Sequence, residues 1–168
     1  MSYILRTPTI VDAARQLKTQ GRRIVFTHGA FDLFHTGHSY VLEESKRLGD
    51  VLIVGVEPDS NIKKYKNDTR PIIDEYNRAL IVSKHMATDF VLLIDKLDVI
   101  KDNYYLDLYK ILSPDFVTIG KNFFARNREK VTMGDIKIRR LKKLVKTPEL
   151  HSITSTTDII DKVSHATR

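Results

Sequence analysis

The chain contains no cysteine. That absence excludes disulfides and thiolate metal sites and fits a reducing compartment. No apolar run approaches the roughly 20 residues needed to span a bilayer, so no membrane partner is expected. The first dozen residues, which include Arg6 and Asp12, hold no apolar stretch of the signal-peptide kind. A cytoplasmic location is the expectation. Internal repeats, low-complexity tracts and linker-like stretches are also missing. With 168 residues, a single domain over 1–168 is the simplest organisation.

What is present is an ordinary globular composition, 42% hydrophobic and 29% charged. The charge is unevenly spread. Of a net +7, the stretch 121–146 supplies more than the whole, with ten Lys or Arg against Glu129 and Asp135. Such a block attracts polyanions: a triphosphate, nucleic acid or an anionic surface. It reads equally as the solvated face of a helix, because Ile138, Leu141 and Val145 fall at i, i+3 and i+7.

Apolar patterning predicts alternating strands and helices. A lead-in helix spans 9–20, with Gly21 as its stop. Ile24-Val25-Phe26 reads as a strand buried on both faces, and so do Val51–Val56, Phe90–Ile94 and Phe116–Ile119. Helices are expected at Ser39–Leu48, Ser60–Tyr65, Asp74–Met86, Tyr105–Leu112 and about Thr157–Ser164. A weak fifth strand falls around Leu144–Thr147. The alternation argues for an α/β, Rossmann-like fold, a parallel five-stranded sheet with helices on both faces. Ligands bind such sheets beyond the carboxyl ends of the strands. The segments 29–38, 57–59, 94–95 and 120–121 therefore converge on one rim.

The chemistry concentrates in Gly29-Ala30-Phe31-Asp32-Leu33-Phe34-His35-Thr36-Gly37-His38. It lies where a buried strand hands over to a helix, and a helix start offers unpaired N–H groups and a positive dipole end to phosphate. His35 and His38 are three apart and can face one spot, while Gly37 admits a ligand close to the backbone. A metal site of His28, His35 and His38 is the rival, without a supporting Glu in metalloprotease spacing.

This decapeptide resembles the signature of the cytidylyltransferase-like nucleotidyltransferases. Further matches follow in order over residues 22–163. They are Lys46 before Gly49-Asp50, Val54-Gly55-Val56 with Asp59, Lys63 and Lys66 with Arg70-Pro71, Arg78, Gly120, and Ser155-Thr156-Thr157. Bacterial heptose-1-phosphate adenylyltransferases and glycerol-3-phosphate cytidylyltransferases are the most similar branches, the first favoured by Gln20–Thr27 and Arg70-Pro71-Ile72. The chain departs from both at Lys121–Asn127 and His151–Thr154.

The resemblance implies transfer of AMP or CMP from ATP or CTP to a sugar or polyol phosphate, with release of pyrophosphate. The attacking phosphate is already anionic, so alignment and charge neutralisation are the requirements. The backbone of Gly29, Ala30 and Phe31, with Gly37 and Gly120, would bind the nucleotide, and Ser155, Thr156 and Thr157 would close on its phosphates. His35, His38, Lys46 and Arg78 are the expected catalytic groups, and Lys63, Lys66 and Arg70 the acceptor-binding ones. Mg2+ would ride with the triphosphate, and no protein metal cage is expected. Plainer roles stay open: Asp32 bracing its turn, Ser155–Thr157 as a helix cap, the lysines as a solvated loop, Arg78 in a surface salt bridge. A silent nucleotide- or nucleic-acid-binding protein of the same fold is the alternative function, with nucleic acid the less favoured partner. A fragment of a class I aminoacyl-tRNA synthetase is a third reading, against which the short chain argues. A homodimer is an open possibility.

Overall fold

The computed structural model describes residues 2–94, 104–119, 137–140 and 155–166. Among the described residues six strands form one parallel sheet: β1 (Tyr3–Leu5), β2 (Ile24–Gly29), β3 (Val51–Val56), β4 (Phe90–Leu93), β5 (Phe116–Ile119) and β6 (Lys137–Arg140). The helices are α1 (Thr7–Thr19), α2 (Thr36–Lys46), α3 (Asp59–Tyr65), α4 (Glu75–Ser83), α5 (Tyr104–Leu112) and α6 (Thr156–Ala166). The strand order is β1-β4-β3-β2-β5-β6. From β2 the chain steps outward through β3 and β4, then returns past β2 to lay down β5 and β6. Strand order thus reverses between β2 and β5, and the crevice outside their carboxyl ends is where this topology binds ligands.

The central strands are buried on both faces, as unbroken apolar runs require. Their period of two sends alternate side chains into separate cores. Ile24, Phe26 and Ile53 meet Ile10 and Ala14 of α1 and Leu108 and Leu112 of α5. Val25, Leu52 and Val54 meet Leu42 of α2 and Ala79 and Val82 of α4. In β3, Gly55 stands opposite His28. A Cβ there would come within 2.9 Å of Phe26 Cζ and 3.0 Å of His28 Cβ, so only glycine fits.

Parallel α/β architecture with helices on both faces is what the alternation predicted. Two differences concern strands. The sheet gains β1, an edge strand of three residues, two of them exposed, too short and too wet to register as an apolar run. Residues 137–140, read from Ile138, Leu141 and Val145 as part of a helix, form β6 along β5. The backbone ladder along β5 prevails over a local helical spacing of three residues. The weak strand expected at 144–147 lies outside the described residues. One helix boundary also matters: α2 begins at Thr36, three residues earlier than read, so Thr36-Gly37-His38 form its first turn. Among the described residues no helix is long and apolar enough to cross a membrane.

Replacing Gly55 with alanine forces a methyl against Phe26, His28 and Ile94. A loss of about 1–3 kcal/mol is expected, read as a lowered urea midpoint at unchanged m-value.

Candidate active site

The turn between β2 and α2 is held in an unfavourable backbone. Phe31 has φ 53° and Leu33 φ 44°, left-handed values that cost bulky side chains roughly 1–2 kcal/mol each. Two attachments sustain it. The Phe31 ring is buried in the α2–α4 core. The Asp32 carboxylate, 1% exposed, accepts hydrogen bonds from Ile72 N–H (3.0 Å), Ile73 N–H (3.0 Å) and Arg70 Nε (2.9 Å). Asp32 therefore braces the segment entering α4 rather than the N–H groups of its own turn.

His35 occupies the N-cap of α2, and its Nδ1 accepts from Gly37 N–H at 3.1 Å. An accepting Nδ1 places the proton on Nε2, leaving that nitrogen as a donor. His38 stacks on His35, with centroids 3.8 Å apart and 22° between planes, and Phe31 and Phe34 flank it. Burial first, and then the neighbouring His35, push His38 down to about 3, against a smaller opposing pull from Asp32. Burial also lowers His35, opposed by Asp158. His38 is thus neutral at physiological pH, and its buried Nδ1 has no hydrogen-bond partner among the described residues. Unpaired buried polar atoms are uncommon and mark places where a ligand or strain belongs.

The N-terminus of α6 closes on this turn. Thr156 Oγ1 donates to Asp32 O at 2.7 Å, across 124 residues of chain. Ser155 caps the helix: its N–H donates to Asp158 Oδ2 at 2.9 Å, and Asp158 N–H donates back to Ser155 Oγ at 3.2 Å. The plain helix cap open to Ser155-Thr156-Thr157 is realised at Ser155, with Thr157 exposed beside it. Gly29, Ala30, Phe31, Gly37, His35, His38, Ser155 and Thr156 therefore gather at one end of β2. Gly120 lies outside the described residues, and so does the basic segment except the backbone of 137–140.

Three cations expected at phosphates find oxygens of the protein instead. Arg78 is fully buried, not in a surface salt bridge. It donates to Ile73 O (2.8 Å), Glu57 O (2.7 Å), Asp59 Oδ1 (2.6 Å) and Ala30 O. It fixes the rim, with none of its surface open to solvent. Arg70 is buried against Asp32, its Nη2 at 2.8 Å. Lys46 ends α2, roughly 16 Å along the helix from His35. It bonds Asp50 O at 2.7 Å and pairs with Asp89, beside the amino ends of β3 and β4. Lys63 and Lys66 are exposed, on and just after α3, which leaves the rim from β3.

Sequence reasoning missed a buried polar cluster beside the turn. Glu57, which follows β3, lies 3.5 Å from His28 Nδ1 and accepts from Tyr65 OH at 2.7 Å. His28 Nε2 bonds Tyr109 OH at 2.6 Å, and its ring stacks on Tyr105. Burial alone would raise the Glu57 carboxyl, but the hydrogen bond and charge of His28, with the Tyr65 and Tyr105 hydroxyls, hold it below its ordinary value. Burial and Glu57 raise both Tyr105 and Tyr109. His28 is turned onto α5, so the three histidines do not converge on a metal. Among the described residues there is no cluster of three His, Asp or Glu able to hold one. A lone Glu after a strand carries no pattern by which it could have been found.

A profile of the family described as cytidylyltransferase-like matches residues 26–162. The bifunctional protein HldE of Campylobacter jejuni is 35% identical over 147 residues, 88% of this chain and 29% of that protein. HldE of Nitratiruptor sp. is 40% identical over 110 residues, 66% of this chain and 22% of that one. The chain thus spans under a third of these relatives. Among solved structures, the lipopolysaccharide core biosynthesis protein of Thermoplasma volcanium superposes with TM-score 0.56 at 30% identity, covering 73% of this chain and 98% of that one. Pantothenate synthetase of Thermus thermophilus gives 0.59 at 9% identity, over 84% of this chain and 61% of that one, a likeness of fold alone.

The state of His38 has a consequence for stability. Its folded value of about 3 lies below the unfolded 6.5, so between those limits the unfolded chain binds a proton that the folded chain does not. Stability should fall as pH drops through this window, by about 1.4 kcal/mol per unit from this group. His38→Gln should flatten the pH dependence of the urea midpoint between pH 6.5 and 4.5.

Proposed function

The chain belongs to the cytidylyltransferase-like family and is a nucleotidyltransferase, and from that premise we propose that it transfers AMP or CMP from a nucleoside triphosphate to the phosphate of a sugar or polyol. An acceptor phosphate oxygen bonds to the α-phosphorus, the α–β bridging bond breaks, and pyrophosphate leaves with the electron pair. The observation that carries this reading is the His35–His38 stack in the first turn of α2, faced by the α6 N-terminus that Thr156 ties to the same turn. Relatives that include HldE and a lipopolysaccharide core biosynthesis protein favour a sugar phosphate as acceptor.

In this reading His35 Nε2–H, fixed by the Gly37 N–H, donates to the bridging or β oxygens. His38 is neutral at rest and gains a proton as the polyanion arrives, because incoming negative charge favours the imidazolium. The reaction then builds charge on the leaving pyrophosphate opposite two imidazoles and two helix N-termini, donors already aimed at it. Lys63 and Lys66 hold the acceptor phosphate. Magnesium comes as part of the triphosphate substrate, since Asp32 and Asp59 are committed to Arg70 and Arg78. The reaction is placed in the cytoplasm, where such triphosphates are available.

ATP and CTP tested against sugar 1-phosphates and polyol phosphates, with pyrophosphate release as the readout, decide the reaction. At least one pair should turn over. His35→Ala and His38→Ala should each lower kcat on the order of 10²-fold with the fold intact. Wild-type turnover in both variants would remove the site assignment. Lys46→Met should lower the melting temperature and leave kcat close to wild type.

A further inference from the structure

Glu57 and Tyr65 have no part in the chemistry above, yet together they govern a segment that does. Helix α3 has seven residues, and only Asn61 and Ile62 of it are buried. From Lys63 to Thr69 the chain is exposed. A helix this short does not hold its shape unaided, and three lysines within four residues repel one another. Tyr65 lies among them with 41% of its surface exposed, while its hydroxyl reaches inward to Glu57 Oε2 at 2.7 Å.

The other end of that bond is rigid. Glu57 N–H donates to Gly29 O at 3.0 Å, Glu57 O accepts from Arg78 at 2.7 Å, and the carboxylate is held by His28 and the Tyr105 hydroxyl. The hydroxyl thus donates to a fixed, buried anion, which makes the bond a strong one. Five residues on, Arg70 is pinned to Asp32. Asn67 Oδ1 takes the Thr69 N–H at 3.1 Å to close the intervening loop. The stretch 63–70 therefore has an anchor near each end, and both anchors are tied to the phosphate turn: Glu57 through Gly29, Arg70 through Asp32.

We propose that the Tyr65–Glu57 hydrogen bond is a latch that sets Lys63 and Lys66 over the rim, making Tyr65 a positioning residue for the phosphorylated acceptor. The proposal rests on the acceptor role assigned above to those lysines. Without the latch the triphosphate site keeps its own contacts through α2 and α6, so the two substrates respond differently.

The test is Tyr65→Phe, which keeps the ring and removes the donor. With the sugar phosphate found by the panel, KM for that acceptor should rise about tenfold. KM for the triphosphate and kcat at saturation should stay within about twofold. Trypsin should cut after Lys63, Lys64 and Lys66 several-fold faster than in the wild type. Unchanged acceptor KM with unchanged cleavage overturns the latch. So does a parallel rise of both KM values with a lowered melting temperature, which marks general loosening. If no substrate pair releases pyrophosphate with the wild-type chain, the reaction assignment has failed and trypsin alone decides the latch: faster cleavage in Tyr65→Phe upholds it, and equal rates overturn it.

Discussion

The rim of the sheet depends on one buried guanidinium. Arg78 is enclosed in the fold and gives hydrogen bonds to the turn after β2, the end of β3, the start of α3 and the entry to α4. A cation out of water costs several kcal/mol unless its donors are met. It therefore persists only while these four segments keep their places, and none of them can shift alone. The planar fork of arginine matters here, because the point charge of a lysine cannot address four oxygens in different directions. The left-handed residues of the β2–α2 turn are kept by the same arrangement, with Asp32 holding the turn from the other side.

On this frame the site is electrostatically quiet at rest. Burial first, and then the imidazole of His35 in contact with it, keep His38 neutral. The fixed attraction for anions comes from helix ends. Formal charge stands further out, on Lys63 and Lys66 and on the α6 carboxylate of Asp158. Asp158 holds the first N–H of its helix end through Ser155, the group that an incoming phosphate also seeks. Under the proposed function, a phosphate arriving at this end of β2 draws on both proton uptake by His38 and rearrangement of the α6 cap.

How much was legible in the sequence follows from where each signal arises. The runs Ile24–Phe26 and Val51–Val56 gave themselves away because both faces of a central parallel strand are dry. The decapeptide 29–38 was legible because histidine, glycine and a strand–helix junction coincide. β1 was silent, since an exposed three-residue edge has no apolar pattern, and its partner lies at residue 90. β6 was misread because a ladder with β5 is a long-range choice that local spacing does not report. Lys46, Arg70 and Arg78 show the same limit for charge. A sequence reveals a cation but not the oxygen it meets, and in all three cases that oxygen belonged to the protein. Glu57 is the reverse case, an acid whose importance comes wholly from His28, Tyr65 and Tyr105 around it.

The bond between Thr156 and Asp32 joins α6 to the turn between β2 and α2. None of the residues of α6 is buried, unlike those of the central strands β2 and β3. During synthesis Asp32 emerges 124 residues before Thr156, so this contact forms only after α6 has been made.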